Sequence, residues 1–172
     1  MNYIFVSGIH GVGKTTLLKA LSGVLPIKCF SISDLIRQGG NVIQQEEKFT
    51  KDIDTNQSIW KDSLNRLELG ANDKVVLDGH FALLNEQGLI CTLPNDTFEG
   101  TNMEKIVVVT ENPEVIQKRL EDRDGSKWRL DLLKDFQKKE IEEAYKFAQE
   151  KNIPIFVYNS KEQMRELADF IG

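Results

Sequence analysis

Gly8-Ile9-His10-Gly11-Val12-Gly13-Lys14-Thr15-Thr16 puts three glycines, a lysine and two hydroxyls into nine residues. The first eight fit the spacing G-x-x-x-x-G-K-[ST] in full, a pattern suited to binding a polyphosphate. The glycines let the backbone turn tightly and bring its N–H groups to phosphate oxygens, where a side chain would block the approach. A helix starting near Gly13 would aim the positive end of its dipole at the anion. In this reading Gly8, Gly11, Val12 and Gly13 form the cradle. Lys14 reaches the β- and γ-phosphates, the Thr15 hydroxyl ligates Mg²⁺, and Thr16 adds a hydroxyl to the α-phosphate. The expected cofactors are therefore a nucleoside triphosphate and Mg²⁺. His10 is a loop residue within the motif and is given no catalytic role.

Val75-Val76-Leu77-Asp78-Gly79-His80 supplies a second acidic position, an aspartate closing a buried strand. Ligands of open α/β sheets bind beyond the carboxyl ends of the strands. Asp78 is thus placed to hold Mg²⁺ beside Thr15, directly or through water, or to orient an acceptor. The plainer reading is a turn aspartate before a glycine. His80 either touches the acceptor or hydrogen-bonds a loop.

These residues need elements to position them. Tyr3 to Val6 is a short unbroken apolar run, the mark of a strand buried on both faces. Similar runs occur at Ile27 to Ile32, Lys74 to Leu77, Ile106 to Val109 and Ile155 to Tyr158. Between them lie helical patterns. Leu17, Ala20, Leu21, Val24 and Leu25 share one face of a helix that Pro26 stops. Ser33 to Arg37 starts a short helix capped by Ser31 or Ser33 and ended by Gly39 and Gly40. Residues 41–69 are polar and mostly helical in pattern, with Asp54 and Thr55 as a break and Thr55 as a cap. Phe81 to Glu104 is expected to be a long loop with one helical turn. Pro113 opens the next helix, Glu121 to Trp128 is a charged break, and Arg129 to Lys151 is a long helix with Ile141, Ala144, Tyr145 and Ala148 on one face. Lys161 to Ile171 is the last helix. The alternation predicts an α/β fold, a three-layer sandwich with a parallel sheet of about five strands and helices on both faces.

The 172 residues suit a single domain, and 40% hydrophobic content supports a real core. A net charge of −5 argues against non-specific binding to nucleic acid or an anionic membrane. Cys29 and Cys91 form neither a disulfide framework nor a zinc pattern and are expected to be free thiols. With no basic leader and no apolar run of about 20 residues, a cytoplasmic location is expected.

The chain resembles the small nucleoside-monophosphate kinases, and most closely the archaeal-type adenylate kinases and related small P-loop kinases. GIHGVGKTT resembles the family's phosphate loop and LDGH its Asp-x-His after the third strand. ENPEVIQKRLEDRD followed by WRLD resembles the stretch leading into the arginine-rich lid, and VYNSKEQ the late loop over the adenine. The resemblance implies phosphoryl transfer from Mg-ATP to a nucleotide-like acceptor, with residues 1–172 as one kinase domain. Residues 119–131 would form the lid, with Arg119, Arg123 and Arg129 closing over the phosphates and Arg123 and Arg129 joining Lys14 and Asp78 in catalysis. Asn159 would lie against the nucleotide. Residues 33–70 would form the acceptor region, where SISDLIRQ supplies Ser33, Asp34 and Arg37, with Gln57 and Arg66 further along the cleft. The bland alternative for each arginine is a solvated helix charge.

Three departures bear on the acceptor, one of them a short lid. His10 stands where many members have proline, and the segment after His80 lacks the usual glycine- and proline-rich stretch, only Leu93-Pro94 remaining. The acceptor is AMP, another nucleotide, a nucleoside or something outside that class. A polynucleotide 5′-hydroxyl kinase, a nucleotide-dependent ATPase or switch acting on a protein partner, and a degenerate binding module are the competing readings. The acidic charge weighs against the first and the arginine-rich segment against the second. Lys14, Thr15 and Asp78, all present, weigh against the third.

Overall fold

Apolar runs with no polar alternation have no face for solvent, so they pair into sheets covered on both sides. The computed structural model describes residues 1–38, 53–70, 72–85, 87–125 and 127–172. In chain order its elements are β1 (Asn2–Ser7), α1 (Lys14–Ser22), β2 (Ile27–Ser31), α2 (Ile32–Gln38), α3 (Ile53–Asn65), β3 (Lys74–Gly79), β4 (Ala82–Leu84), β5 (Ile90–Thr92), β6 (Asn102–Val109), α4 (Pro113–Asp124), α5 (Leu130–Lys151), β7 (Ile155–Tyr158) and α6 (Met164–Ile171). Five strands form one parallel sheet in the order β2-β3-β1-β6-β7. The α/β sandwich expected from the sequence is the fold observed.

Each strand divides its side chains between two cores. Ile4, Val6, Val76, Val107 and Val109 meet Leu17, Leu21, Ile116, Leu120, Leu133, Phe136, Leu167 and Ile171 on one face. Tyr3, Phe5, Val75, Leu77, Ile106 and Val108 meet Leu35, Trp60, Leu64, Phe98, Ala144 and Phe147 on the other. The helix α5 has 22 residues and is therefore about 33 Å long. Its first turns pack into one core and its later turns into the other. It crosses between them over the carboxyl end of the sheet.

Register brings the site together. Asp78 lies beside Val6 on one side and Ser31 on the other, so β1, β3 and β2 all end at one level. Two lysines fix α6 against the sheet: Lys105 Nζ donates to Phe170 O at 2.6 Å and Lys74 Nζ to Ile171 O at 3.2 Å. Both cations complement the helix's carboxyl-terminal dipole.

Several local expectations are corrected. The helix α1 stops at Gly23, whose N–H bonds back to Ala20 O and Leu21 O, three residues before Pro26. Its buried face is Leu17, Leu18 and Leu21, while Val24 is 68% exposed. The long loop after Phe81 contains an antiparallel hairpin, with Leu83 opposite Cys91, then a 3₁₀ turn at Asn95–Phe98. Asn85 Oδ1 accepts from Gln87 and Leu89 N–H, which closes the hairpin. The strand β6 begins at Asn102, ahead of Ile106. Thr55 lies inside α3 and does not precede it. The charged break starts only at Gly125, because α4 continues through Asp124. Tyr145 points to solvent at 49% exposure, and Ala144, Phe147 and Ala148 form the buried face. A 3₁₀ turn at Lys161–Gln163 precedes α6. The Gly39-Gly40 helix end and residues 41–52 lie outside the described residues. No described helix is long and apolar enough to cross a membrane.

Candidate functional site

The loop between β1 and α1 is shaped by its glycines. Gly8 has φ +149°, and a Cβ there would stand 2.6 Å from the Val109 carbonyl oxygen, so no larger residue fits against β6. Gly13 caps α1 in the left-handed region at φ 103° and has no side chain with which to cap it, and the first turn holds no acidic residue. The first N–H groups of α1 thus meet no acidic side chain of their own turn, which suits a phosphate site.

Lys14 is buried in this loop at 8% exposure. Its ammonium donates to Gly8 O and lies 3.6 Å from Asp78 Oδ1. Burial pushes the lysine below its ordinary pKa, while the charges of Asp78 and Glu140 act against that. Burial likewise raises Asp78, with Lys14 opposing. His80 packs against His10 with ring centroids 4.6 Å apart. Burial, then the charges of Lys14 and His10, hold His80 well below the usual imidazole range, the Gly8 backbone opposing. Its Nδ1 is buried without a hydrogen-bond partner among the described residues. Thr15 and Thr16 are exposed at the start of α1.

Among the expected arginines, Arg119 reaches the loop. Its Nη1 donates to Val12 O at 3.1 Å and Gly11 O at 3.3 Å, and its Nη2 to Glu111 Oε2 at 2.9 Å. Gln137 braces that glutamate from α5: its Oε1 accepts from Glu111 N–H at 3.0 Å, and its Nε2 donates to Glu111 O at 2.9 Å. Arg123 pairs instead with Asp124 at 2.7 Å, and Arg129, at the cap of α5, pairs with Asp131. Arg123 lies in the last turn of α4 and Arg129 at the start of α5, and both are exposed.

On the other side of Asp78, α2 starts directly after Ser31, whose Oγ accepts weakly from Asp34 N–H at 3.4 Å. This settles the cap in favour of Ser31. Leu35 and Ile36 are buried, so Ser33, Asp34 and Arg37 face outward, with Arg37 donating to Asp34. Arg66 is exposed just past α3. The side chain of Gln57 lies outside the described residues. Asn159 follows β7, and its N–H donates to Gln163 Oε1 at 2.9 Å.

The missed residue is Glu140. It is 1% exposed and accepts from Gly8 N–H at 3.1 Å, Phe81 N–H at 3.0 Å and Ala82 N–H at 2.6 Å. Burial raises its pKa, with the Phe81 N–H, Lys14 and the Ala82 N–H acting against it. The signal was available: Glu140 occupies the inward stripe formed by Leu133, Phe136, Ala144 and Phe147.

The donor set fits Mg²⁺. This small, hard cation keeps several waters and takes one or two protein oxygens plus phosphate oxygens. One carboxylate (Asp78) and one hydroxyl (Thr15) near the lysine meet that need. Among the described residues no group of three or more His, Cys, Asp or Glu forms a cage for another metal.

A family model described as an AAA domain matches residues 7–137. The chain is similar to adenylate kinase of Thermoplasma acidophilum, 27% identical over 120 residues, covering 66% of this chain and 63% of that protein. It is also similar to adenylate kinase of Methanococcus aeolicus, 25% identical over 130 residues, covering 69% and 67% of the two chains. The chain thus spans less than two thirds of the first relative's length.

Proposed function

The chain belongs to the AAA domain family of P-loop proteins, and from that premise we propose that it transfers the γ-phosphoryl group of Mg-ATP to a small acceptor, a nucleoside monophosphate. One observation carries the reading. Lys14, at the open end of α1, stands 3.6 Å from Asp78 at the end of β3, and α2 begins at the residue after Ser31, which lies in register with Asp78. A phosphate cradle and an outward-facing Arg37 therefore flank one carboxylate. The similarity to proteins named adenylate kinase supports the acceptor class.

The proposed roles are these. Gly8, Gly11, Val12, Gly13, Lys14, Thr15 and Thr16 hold the polyphosphate. Thr15 and Asp78 would hold Mg²⁺, which when bound neutralises charge on the phosphate oxygens. Ser33, Asp34, Arg37 and His80 face the acceptor, and Asn159 the nucleoside of ATP. Arg119 already bonds the loop. Arg123 and Arg129 pair with the neighbouring carboxylates Asp124 and Asp131 near the surface, pairings that contribute little and would exchange readily for phosphate oxygens. Residues 119–131 thus serve as the lid, and residues 33–70 as the acceptor region.

The test follows ADP formation from Mg-ATP with nucleoside monophosphates, nucleosides and a 5′-hydroxyl oligonucleotide, each against a no-acceptor control. Strong stimulation by one monophosphate is the expected result. Stimulation by the oligonucleotide alone would favour the polynucleotide kinase. A slow background unchanged by every acceptor would favour the ATPase or switch.

A further inference from the structure

A carboxylate inside a protein is costly unless its oxygens accept hydrogen bonds. Glu140 meets that condition with backbone donors drawn from two distant segments. Gly8 opens the phosphate loop, 132 residues away in sequence, and Phe81 and Ala82 follow the Asp78 strand, 59 and 58 residues away. The carboxylate sits on α5 between Phe136 of one core and Ala144 of the other, where the helix crosses the ends of the strands.

The Gly8 backbone is consequently held by charge on both sides of its Cα. Its N–H donates to Glu140, and its C=O accepts from the Lys14 ammonium. The turn that follows Asp78 is held by the same carboxylate through Phe81 and Ala82. One turn earlier on α5, Gln137 holds Glu111, which braces Arg119 against the outside of the loop. An oily residue at position 140 would fill the space but leave three N–H groups without an acceptor.

We propose that Glu140 is a positioning residue for phosphoryl transfer: it ties the entry of the phosphate loop and the turn after Asp78 into one frame, and so sets the spacing of Lys14 and Asp78 that the nucleotide meets. The proposal rests on the phosphotransferase reading above for its effect on turnover, but its effect on nucleotide binding stands without an acceptor. Glu140 touches neither nucleotide nor acceptor in this role. It acts through the backbone of Gly8, Phe81 and Ala82.

The experiment compares wild type, Glu140→Gln and Glu140→Asp. Mg-ATP and Mg-ADP dissociation constants are measured calorimetrically well below the melting temperature, and kcat and KM with any acceptor that stimulates wild type. Gln keeps the size but loses the charge and turns an amide N–H toward a backbone N–H. Asp keeps the charge but draws it back by one methylene. The expected result is a dissociation constant raised about 10-fold or more in Glu140→Gln, with partial recovery in Glu140→Asp. A lower melting temperature with unchanged nucleotide affinity in both variants would overturn the proposal and leave Glu140 a framework residue. If Glu140→Gln does not fold, Glu140→Asp decides alone: weakened binding supports the role and wild-type affinity overturns it. Failure of the phosphotransferase reading shows separately, as absent stimulation in wild type by any acceptor, whatever the binding data give.

Discussion

Lys14 Nζ lies 3.6 Å from Asp78 Oδ1, although 64 positions separate the two in sequence (78 − 14). The β1–β3 pairing brings them together, since Val6 and Asp78 are register partners and the phosphate loop starts two residues after Val6. In this arrangement the ammonium rests on a carboxylate and on Gly8 O. In the proposed role both contacts would give way to phosphate oxygens.

Arg119 is predicted to support nucleotide binding through the loop's shape. Its guanidinium reaches two loop carbonyls and Glu111 at once, which a single ammonium cannot reproduce. Arg119→Ala is expected to raise the Mg-ATP dissociation constant about 5- to 20-fold, and Arg119→Lys to recover little of the loss. Calorimetric titration checks this. Full recovery by lysine would mean that only the charge matters.

Gly79→Ala is predicted to destabilise the fold. Its Cβ would stand 2.6 Å from Phe5 Cε2 and 2.7 Å from Cζ, and Phe5 is fully buried against Phe81 and Phe98. Such a ring cannot give way, so the cost is about 1–3 kcal/mol. The melting temperature should fall by about 2–4 °C for each kcal/mol. An unchanged melting curve would show that this region repacks freely.

How much of this was legible in the sequence depends on how local the signal is. The buried strands announced themselves as apolar runs, and Gly8 to Thr15 stated its chemistry by spacing alone. The hairpin was missed because β4 and β5 are three residues each, too short to show alternation. Tyr145 was misplaced because α5 carries a broad mixture of charged and apolar residues. Glu140 was missed for a deeper reason. A glutamate among lysines and glutamates reads as surface charge, and the donors that make its burial possible lie 58 to 132 residues away.

Arg37→Ala is predicted to act on one substrate. Arg37 faces outward from α2 beside Asp34, away from the phosphate loop on the far side of Asp78. The acceptor KM should rise about 10-fold or more, with the ATP KM held within about twofold. Steady-state kinetics with each substrate varied in turn decide it. Equal losses for both substrates would refute the assignment.

The two thiols are predicted to differ in reactivity. Cys91 is exposed, whereas Cys29 is part-buried, with its Sγ 3.5 Å from Ser22 Oγ. Burial chiefly, with the Asp78 charge adding, raises the Cys29 pKa, and the Ser22 hydrogen bond opposes it. The thiolate is the reactive form, so a raised pKa leaves less of it at neutral pH. A disulfide reagent at about pH 8 should modify Cys91 first and Cys29 about 10-fold or more slowly, the slow phase accelerating as pH rises. A single fast phase for both thiols would contradict the packing around β2.

The most direct test of the central claim follows the γ-phosphate itself. Wild type and Lys14→Ala are given Mg-ATP labelled at the γ-position with the acceptor that best stimulates turnover, and the labelled products are separated. Wild type should place the label on the acceptor, and Lys14→Ala should lower that transfer by about 10²- to 10³-fold while keeping its helical content. Label released only as inorganic phosphate, or transfer undiminished without Lys14, would contradict the account.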